Sequence, residues 1–412
     1  MIFKKIAILT LHPHNYGGVL ATQRFVYHFC QKYFEPTLFF LGFDPAISAS
    51  IKRLKYRSQV RYTNYFGMQS VEIGSRWAFW EPGHYKNTIK QWEKELAGYE
   101  YFIVASGTPI AAHPLVLLNK RFIGNYATPC EADRTQRMGK TTGIRAFIEK
   151  RAHTKMLAIE KEILEKTTLV MPMSQYTKVQ FDTLCEGLEQ KTLVCGQPIA
   201  DEKIGIVPIT KKGKILLAVG RFDDPRKNIA MLLQVFDWLY TQVPDLILYI
   251  VGSRPSPEVL KPYESLKSFK AIVFTGYVEA SVRDLLYEQA DIMLITSYQE
   301  GLGIIGLEAL ARGIPVVSTD CGGSRDFVIE GKTGYLVAIN DVEAMVLRVL
   351  TLLTNSTLYE AIRKYSPEFI KQEFSVTTIE EKYKQALITV YPELESYFAQ
   401  GKVTTRGVQH IL

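Results

Sequence analysis

Short apolar runs alternate with segments of helical periodicity through the second half of the chain. Each run has the length of a buried strand, and the segments between them repeat apolar residues at helical spacing. The predicted strands are KILLAVG (214–220), DLILYIVG (245–252), AIVFTGYV (271–278), DIMLITS (291–297), IPVVSTD (314–320) and GYLVAI (334–339). Parallel strands need crossover connections, so this alternation indicates a parallel sheet covered by helices on both faces. We therefore predict a doubly wound α/β domain over residues 199–375.

The first half of the chain opens in the same way but is less regular. A glycine-started helix, GGVLATQRFVYHFCQKY (17–33), follows the first apolar run, and later runs indicate further strands of one sheet. Those runs are KIAILTL (5–11), PTLFFLGF (36–43), YEYFIVAS (99–106), NKRFIGNYATP (119–129) and TTLVMPMS (167–174). The predicted fold class is α/β, with two Rossmann-like domains, 1–198 and 199–375, facing each other across a cleft. Residues 376–412 are predicted to be a C-terminal helix and tail. One arrangement for this helix is to pack back toward the first domain.

Composition limits the class of protein. With 47% hydrophobic and 22% charged residues, the 412-residue chain is typical of a soluble enzyme of two domains. Five cysteines without C-x-x-C spacing favour neither a disulfide framework nor a zinc site, and they fit a reducing cytoplasm. The N-terminal lysines precede a predicted strand and lack the cleavage site of a signal peptide. No run approaches the ~20 apolar residues of a membrane span, so membrane contact is expected to be peripheral at most.

The stretch EGLGIIGLE (300–308) fits two incompatible motifs. From Gly301 it is G-x-G-x-x-G, the dinucleotide-binding turn, and Asp320 ends the next strand, where that motif has its ribose-binding acid. However, the glycines of that motif follow almost directly on the strand, whereas the residues SYQE intervene here. This strand and helix also come late in their domain and not at its first strand-to-helix turn. From Glu300 to Glu308 the stretch is instead a pair of carboxylates with seven residues between them, a pattern of many sugar-nucleotide transferases.

The carboxylate pair accounts for more of this stretch. If a helix begins near Gly303, Glu300 precedes its N-terminus and Glu308 lies in its first turns, with both directed at the cleft. Gly301 and Gly303 let backbone N–H groups approach an anion, and the helix dipole favours a phosphate. Because carboxylates accept hydrogen bonds from hydroxyl groups, the combination fits a nucleotide sugar. For an isolated match, a solvated loop acid and a surface helix residue would be the simpler explanation.

A second cluster, AVGRFDDPRKN (218–228), lies at the end of the first strand of the same domain. Arg221 follows the buried strand, and Arg226 and Lys227 precede a helix. Fixed cations can stabilise a departing diphosphate without a metal ion. The two intervening aspartates are predicted to hold the basic residues or cap the turn, and no D-x-D metal motif occurs in the chain. A solvated charge cluster is the alternative.

In this order and spacing, the two stretches resemble the family 4 retaining glycosyltransferases of GT-B fold, the glycosyl transferases group 1. The resemblance rests on GRFDDPRKN (220–228) and SYQEGLGIIGLEALARGIPVVSTDCGGSRDFVIEGKTGYLV (297–337), and it covers the C-terminal half. It implies that Arg221 and Lys227 hold the donor diphosphate. It also implies that Glu300 binds the transferred sugar with backbone amides near Leu302 and Gly303, that Glu308 binds the ribose, and that the backbone of Val278 contacts the base.

The first half is similar to the same family more loosely. NYGGVLATQRF (15–25) matches a glycine-rich loop, which implies that Gly17 and Gly18 lie near the donor phosphate and the acceptor. MPMSQYTK (171–178) matches the turn before the linker. The family often has a histidine after the strand ending in VAS, but SGT stands there, and His113, farther on, is the lesser candidate. His12 and His14 have the spacing of a metal pair, although ordinary polar roles in a loop are the simpler explanation.

The predicted function is that of a retaining, metal-independent glycosyltransferase. It would move a sugar from a nucleoside diphosphate to a glycan, lipid-linked or other hydroxyl acceptor in polysaccharide or glycoconjugate biosynthesis. No cofactor is expected, and nucleic-acid binding is not expected because the basic residues form no long stripe. The resemblance leaves open the donor base, the sugar, the linkage and the oligomeric state.

Alternatives remain for the surface and for the reaction. The basic and aromatic segment 52–66 suits anionic lipid head groups, a polysaccharide or a solvated face. Binding to lipid would place a cytoplasmic protein at the inner face of the cell membrane. A sugar-nucleotide epimerase of the same fold would act on the donor alone. A non-catalytic binding protein and an NAD-dependent oxidoreductase are the other alternative classes.

Overall fold

A computed structural model describes residues 3–12, 18–49, 57–76, 80–131, 143–206 and 214–400, and only the backbone of 143–148. The chain divides into two compact units, Met1–Gly196 with Ile379–Leu412, and Gln197–Thr378. Each unit is a sheet with helices packed on it and has a hydrophobic core of its own. Among the helices within the described ranges, none has both the length and the apolar character needed to cross a bilayer.

Within the described residues, seven strands form the sheet of the first unit. They are β1 (Lys5–Leu9), β2 (Glu35–Gly42), β3 (Val60–Tyr65), β4 (Met68–Gly74), β5 (Tyr101–Ser106), β6 (Ile123–Tyr126) and β7 (Leu169–Pro172). Their order is β3-β4-β2-β1-β5-β6-β7, and all neighbours are parallel except β3 and β4. The strand order reverses beside β1, which lies between β2 and β5.

The antiparallel hairpin of β3 and β4 begins in the basic and aromatic segment 52–66 and continues beyond it, in a region for which the sequence predicts no strand. β3 is an edge strand, and the side chains along it are mostly exposed or half-buried. Its turn has Phe66 at φ 51° and Gly67 at φ 84°, both left-handed, as a tight two-residue hairpin turn requires. Asn-Gly would have signalled such a turn, whereas Phe-Gly does not, so the sequence pattern misses this strand pair.

In the part of the second unit that the structure describes, six parallel strands form the sheet, as predicted. They are β8 (Lys214–Arg221), β9 (Leu246–Ser253), β10 (Ile272–Gly276), β11 (Ile292–Ile295), β12 (Val316–Thr319) and β13 (Gly334–Val337). Their order is β10-β9-β8-β11-β12-β13. The order reverses between β8 and β11, which is the point where open α/β sheets bind ligands beyond the carboxyl ends of their strands.

Helices cover both sheets and supply the rest of each core. In the first unit they are α1 (Gly18–Tyr33), α2 (Ile89–Leu96), α3 (His113–Leu117), α4 (Gly143–Lys166) and α5 (Gln175–Leu184). In the second unit they are α6 (Ile229–Gln242), α7 (Pro257–Leu260), α8 (Ala280–Gln289), α9 (Ile304–Ala311), α10 (Val342–Thr354) and α11 (Ser356–Phe374). The last helices, α12 (Val376–Val390) and α13 (Glu395–Ala399), lead into the C-terminal part of the first unit.

The C-terminal segment packs into the core of the first unit. Tyr383 is buried and meets Phe25 of α1 edge-on, with ring centroids 5.7 Å apart. The Tyr391 hydroxyl accepts a hydrogen bond from the Phe102 N–H at 3.0 Å and donates one to the Arg121 carbonyl at 2.6 Å. These contacts join residues that are far apart in sequence, so residues 379–400 are an integral part of this unit.

Candidate functional site

The reversal of strand order in the second unit brings two polar loops together. β8 ends at Arg221, and its neighbour β11 ends at Ile295. Because parallel strands end at the same edge of a sheet, the loops that follow, 222–228 and 296–303, lie side by side. These are the loops that carry GRFDDPRKN and SYQEGLG. Here five residues, 296–300, separate the end of β11 from Gly301, so the strand does not deliver its glycines to a ligand as a dinucleotide turn would.

Lys227 and Glu300 are in direct contact in these loops. Lys227 Nζ lies 2.5 Å from Glu300 Oε1, and Ser297 Oγ donates a hydrogen bond to the same oxygen at 2.7 Å. The side chains of Lys227 and Glu300 are 18% and 16% exposed. Such a partly buried pair is screened by salt less than a surface pair, yet it stays within reach of a ligand. The structure thus brings two of the predicted site residues together.

The backbone around Lys227 is fixed by several hydrogen bonds. The Asp224 carboxylate accepts one from the Arg226 N–H at 3.0 Å and so caps the 3₁₀ turn that ends at Lys227. Asn228 follows at φ 47°, a left-handed conformation that asparagine tolerates, and its side chain caps α6. Thr296 Oγ1 then donates to the Lys227 carbonyl at 3.0 Å. This clamp between the loops sets the position of Lys227 beside Glu300.

Asp224 also holds the arginines of the first loop. The Arg226 guanidinium lies 2.7 Å from the carboxylate, and Arg221 Nη2 lies 3.5 Å from it. Burial alone would raise the pKa of the Asp224 carboxyl, but hydrogen bonds and charge from Arg226 outweigh it and hold the pKa below its ordinary value. Arg221 keeps 55% of its side chain exposed. Arg226 is therefore committed to Asp224, whereas Arg221 presents its charge at the end of β8.

A third loop, which follows β12, supports the backbone of Glu300. The Glu300 N–H donates to the Cys321 carbonyl at 2.8 Å, and the Gly323 N–H donates to the Glu300 carbonyl at 3.0 Å. A Cβ atom on Gly323 would lie 2.4 Å from the Gly301 carbonyl oxygen and 2.4 Å from Leu302 Cα. Both are backbone atoms that cannot rotate aside, so this close approach requires glycine.

Helix α9 begins directly after this loop. Gly303 has φ 87°, a left-handed conformation that favours glycine, and it forms the N-cap of the helix. Leu302 is buried, so the chain is anchored just before the helix starts. The first N–H groups of a helix lack intrahelical partners, and together with the helix dipole they attract anions. The N-terminus of α9 therefore adds favourable potential for a phosphate next to the Glu300 loop.

Glu308 is held by helix α8, whereas Glu300 is held by Lys227 and Ser297. The buried Tyr287 hydroxyl donates to Glu308 Oε2 at 2.8 Å, and Arg283 Nη2 lies 3.6 Å from Glu308 Oε1. Arg312 covers the Tyr287 ring at 4.8 Å and donates to the Glu308 carbonyl at 2.8 Å. The Glu308 side chain is 17% exposed, so part of it remains accessible to a ligand.

The remaining predicted site residues lie outside these contacts. Val278 is half-buried in the loop between β10 and α8. Gly18 is the exposed first residue of α1, and Gly17 lies outside the described residues. His12 packs edge-on against Phe40 at 5.2 Å, and His14 also lies outside the described residues. Within the ranges that the structure covers, no group of three or more His, Cys, Asp or Glu side chains is arranged to hold a metal ion.

His113 begins α3 in the core of the first unit. It is only 6% exposed, and its ring packs edge-on against Tyr85 at 6.1 Å. Burial, with a contribution from the positive charge of Lys86, lowers the pKa of His113 to about 4. The imidazole is therefore neutral at neutral pH, and its charge is not available to bind a phosphate.

The sequence did not predict the hydroxyl groups that orient Glu300, Glu308 and the backbone of Lys227. Ser297 lies three residues before Glu300, and serine often bonds locally in this way, so that contact had a sequence signal. Thr296 reaches a carbonyl 69 positions away, and Tyr287 reaches a carboxylate 21 positions away on another helix. No local pattern could reveal these two contacts, because they depend on strand order and helix packing.

The chain is similar to known proteins in sequence and in fold. Residues 200–369 match the model of the family described as Glycosyl transferases group 1. The chain is 28% identical over 196 residues to the N-acetyl-alpha-D-glucosaminyl L-malate synthase of Bacillus anthracis. The aligned region covers 47% of this chain and 49% of that protein. It is 37% identical over 139 residues to the GDP-mannose-dependent alpha-(1-6)-phosphatidylinositol monomannoside mannosyltransferase of Mycolicibacterium smegmatis, over 32% of this chain and 36% of that protein.

Among solved structures, the chain is similar to Anabaena HepE in complex with UDP. The TM-score is 0.70 at 14% identity, over 93% of this chain and 99% of that one, which shows a shared fold. The curated relatives are matched over about half of their length or less. The predicted α/β class and GT-B fold are confirmed, and the chain carries a domain of the glycosyl transferases group 1 family at residues 200–369.

Proposed function

We propose that this protein is a retaining glycosyltransferase that moves a sugar from a nucleoside diphosphate donor to a hydroxyl group of a glycan or lipid-linked acceptor. The observation that carries the proposal is the contact between Lys227 and Glu300, at 2.5 Å, where the strand order of the second unit reverses. A donor of this kind joins a diphosphate to a polyol. It is matched by a cation and a hydrogen-bond acceptor that are held side by side and partly exposed.

The roles follow from the position of each group. Lys227 and Arg221 supply fixed positive charge for the diphosphate, and the N-terminus of α9 supplies backbone donors. Glu300 accepts hydrogen bonds from the transferred sugar. Glu308 accepts them from the ribose hydroxyls, and the backbone near Val278 contacts the base. HepE, a protein of the same fold, was solved in complex with UDP, which supports a nucleoside diphosphate as a ligand of this chain.

The proposed reaction proceeds on one face of the sugar and needs no metal ion. The bond between the anomeric carbon and the diphosphate oxygen breaks, and the acceptor oxygen bonds to the same face of that carbon. The departing phosphate takes the acceptor proton. Negative charge grows on the diphosphate in the transition state, so Lys227 and Arg221 interact with the transition state more strongly than with the ground state. The protein contributes by positioning both substrates and stabilising this charge.

A lipid-linked acceptor is supported by the mannosyltransferase relative, whose name specifies phosphatidylinositol monomannoside. In the first unit, nearby carboxylates offset positive charge in the described part of the basic and aromatic segment. The Arg61 guanidinium bonds to Glu72 at 2.8 Å and to Asp44 at 2.8 Å, so its charge is balanced. Tyr62 is 70% exposed and would be the aromatic contact with a lipid surface or a glycan. Residues 52–56 of the segment lie outside the described residues.

A donor screen tests the proposal. The purified chain is incubated with UDP-, GDP- and ADP-sugars and a set of glycan and glycolipid acceptors, and the released nucleoside diphosphate is measured. We expect release with one donor that depends on acceptor, persists in a chelator, and gives a product with the anomeric configuration of the donor by NMR. Isomerised donor without release would instead identify an epimerase. Binding of a nucleotide sugar without either reaction would identify a binding protein.

A further inference from the structure

Tyr287 is a buried tyrosine whose hydroxyl meets a carboxylate of the proposed donor site. It lies on α8 with no exposed surface, and it donates to Glu308 Oε2 at 2.8 Å. Its ring is covered by the Arg312 guanidinium at 4.8 Å, and its hydroxyl also lies 3.3 Å from the Ile305 carbonyl. The Arg312 guanidinium thus covers one face of the ring, and the two contacts of the hydroxyl fix its position at the start of α9.

The two oxygens of Glu308 have different surroundings. Oε2 accepts the hydrogen bond of Tyr287, whereas Oε1 lies 3.6 Å from Arg283 Nη2, which is beyond hydrogen-bonding distance. The charge of Glu308 raises the pKa of Arg283, so this guanidinium stays positive beside Oε1. The partly exposed carboxylate can therefore accept hydrogen bonds from a ligand at Oε1.

We propose that Tyr287 is a positioning residue that fixes the rotation of the Glu308 carboxylate, so that Oε1 faces the vicinal hydroxyl pair of a ribose. The inference rests on the proposed function, because it assigns a ribose to the ligand of Glu308. It adds that the selectivity for a ribose over a deoxyribose depends on a residue that does not touch the ligand.

The chemistry of Tyr287 suits this role. Burial and the charge of Glu308 raise the pKa of the Tyr287 phenol well above its ordinary value, so the hydroxyl remains a donor throughout the physiological pH range. A tyrosine has only two side-chain torsions, and here both are fixed by packing. A donor that cannot ionise or rotate away holds its acceptor in one orientation.

The experiment measures ribose selectivity by calorimetry. UDP, GDP and ADP are titrated into the wild-type chain, and the tightest ligand is compared with its 2′,3′-dideoxy analogue and with pyrophosphate. We expect Tyr287→Phe to weaken binding of the ribonucleotide about fivefold to tenfold, and to leave the other two probes unchanged. In a Glu308→Gln background, Tyr287→Phe should have no further effect, because the two residues act through one contact.

Two variants control for a purely structural effect. Tyr359→Phe removes another hydroxyl from the same unit, one that donates to the Asp291 carbonyl at 3.1 Å, and it should leave all three affinities unchanged. Tyr287→Met fills the space without a ring or a hydroxyl, and it should lose ribose selectivity in the same way. If one of the two variants at position 287 does not fold, the other still tests whether Tyr287 positions the Glu308 carboxylate.

The outcomes separate the inference from the proposed function. A wild-type chain that binds no nucleoside diphosphate contradicts both. A wild-type chain that prefers the ribonucleotide, with the preference intact in Tyr287→Phe, contradicts the inference alone. Equal weakening of all three probes also contradicts it, since that result means a general loss of structure.

Discussion

Lys227 and Glu300 form an ion pair across 73 positions of sequence, with Nζ and Oε1 2.5 Å apart. The cation proposed to hold the diphosphate is thus already paired with the carboxylate proposed to hold the sugar. A diphosphate that binds Lys227 must compete with Glu300 for the same ammonium group. Glu300 is thus a built-in counterion of Lys227, and it lowers the affinity of the site for phosphate alone.

We predict that Glu300→Gln binds inorganic pyrophosphate several-fold more tightly than the wild type and transfers sugar far more slowly. The amide removes the competing charge from Lys227 and is a poorer acceptor for the sugar hydroxyls. Calorimetry and a turnover assay measure the two effects. The matched control is Glu330→Gln, which removes an exposed carboxylate paired with Arg348 at 2.9 Å and should change neither quantity. Weaker pyrophosphate binding in Glu300→Gln would show that Glu300 supports Lys227 and does not compete with the ligand.

Lys227→Ala and Arg221→Ala should each lower turnover by roughly 10²- to 10³-fold, the effect of removing one group that stabilises developing charge. Their side chains are 18% and 55% exposed, so Arg221→Ala should leave the free energy of unfolding within about 1 kcal/mol of the wild type. Lys227→Ala leaves Glu300 without its partner and should cost more. Turnover with saturating donor, and urea denaturation, measure the two quantities. Arg348→Ala is the control for loss of a surface cation, and full turnover in both site variants would refute the assignment.

Much of the site could be predicted because its residues lie at the ends of apolar runs. Strands β8 and β11 are evident from the sequence, and the polar residues after them must meet at one edge of a parallel sheet. The contact of Lys227 with Glu300 follows from the strand order, which the sequence does not specify. The resemblance to a family implied that both residues bind the donor, but it did not predict this contact. The hydroxyls of Thr296 and Tyr287 were missed, because each acts across two elements.

A glycine that no motif singled out should be essential for the site. Gly323→Ala would place a methyl group 2.4 Å from the backbone of residues 301 and 302, so the Glu300 loop must shift. We expect a loss of about 1–3 kcal/mol in the free energy of unfolding and a large loss of turnover. Gly205→Ala is the control, since nothing lies within 4 Å of a Cβ atom there. If Gly323→Ala retained wild-type turnover and stability, the close packing of these loops would not matter for activity.

His113 should make the first unit less stable in acid. The pKa of this buried imidazole is about 4 in the folded chain, below the value of ~6.5 expected when it is unfolded. Above pH 6.5 the residue is neutral in both states and contributes no pH dependence. As the pH falls from 6.5 towards 4, only the unfolded chain binds the proton, so stability decreases, by about 2 kcal/mol between pH 7 and pH 5.

The variant His113→Asn should remove this part of the pH dependence. Urea denaturation at pH 7 and pH 5, followed by tryptophan fluorescence, measures it, because buried Trp92 packs on Tyr85, which also contacts His113. The difference in unfolding free energy between the two pH values should be about 2 kcal/mol smaller in the variant than in the wild type. Equal differences in the two proteins would mean that His113 titrates alike in the folded and unfolded states. The His113 imidazole could then carry a positive charge near neutral pH. His113 would in that case become a stronger candidate for a site residue.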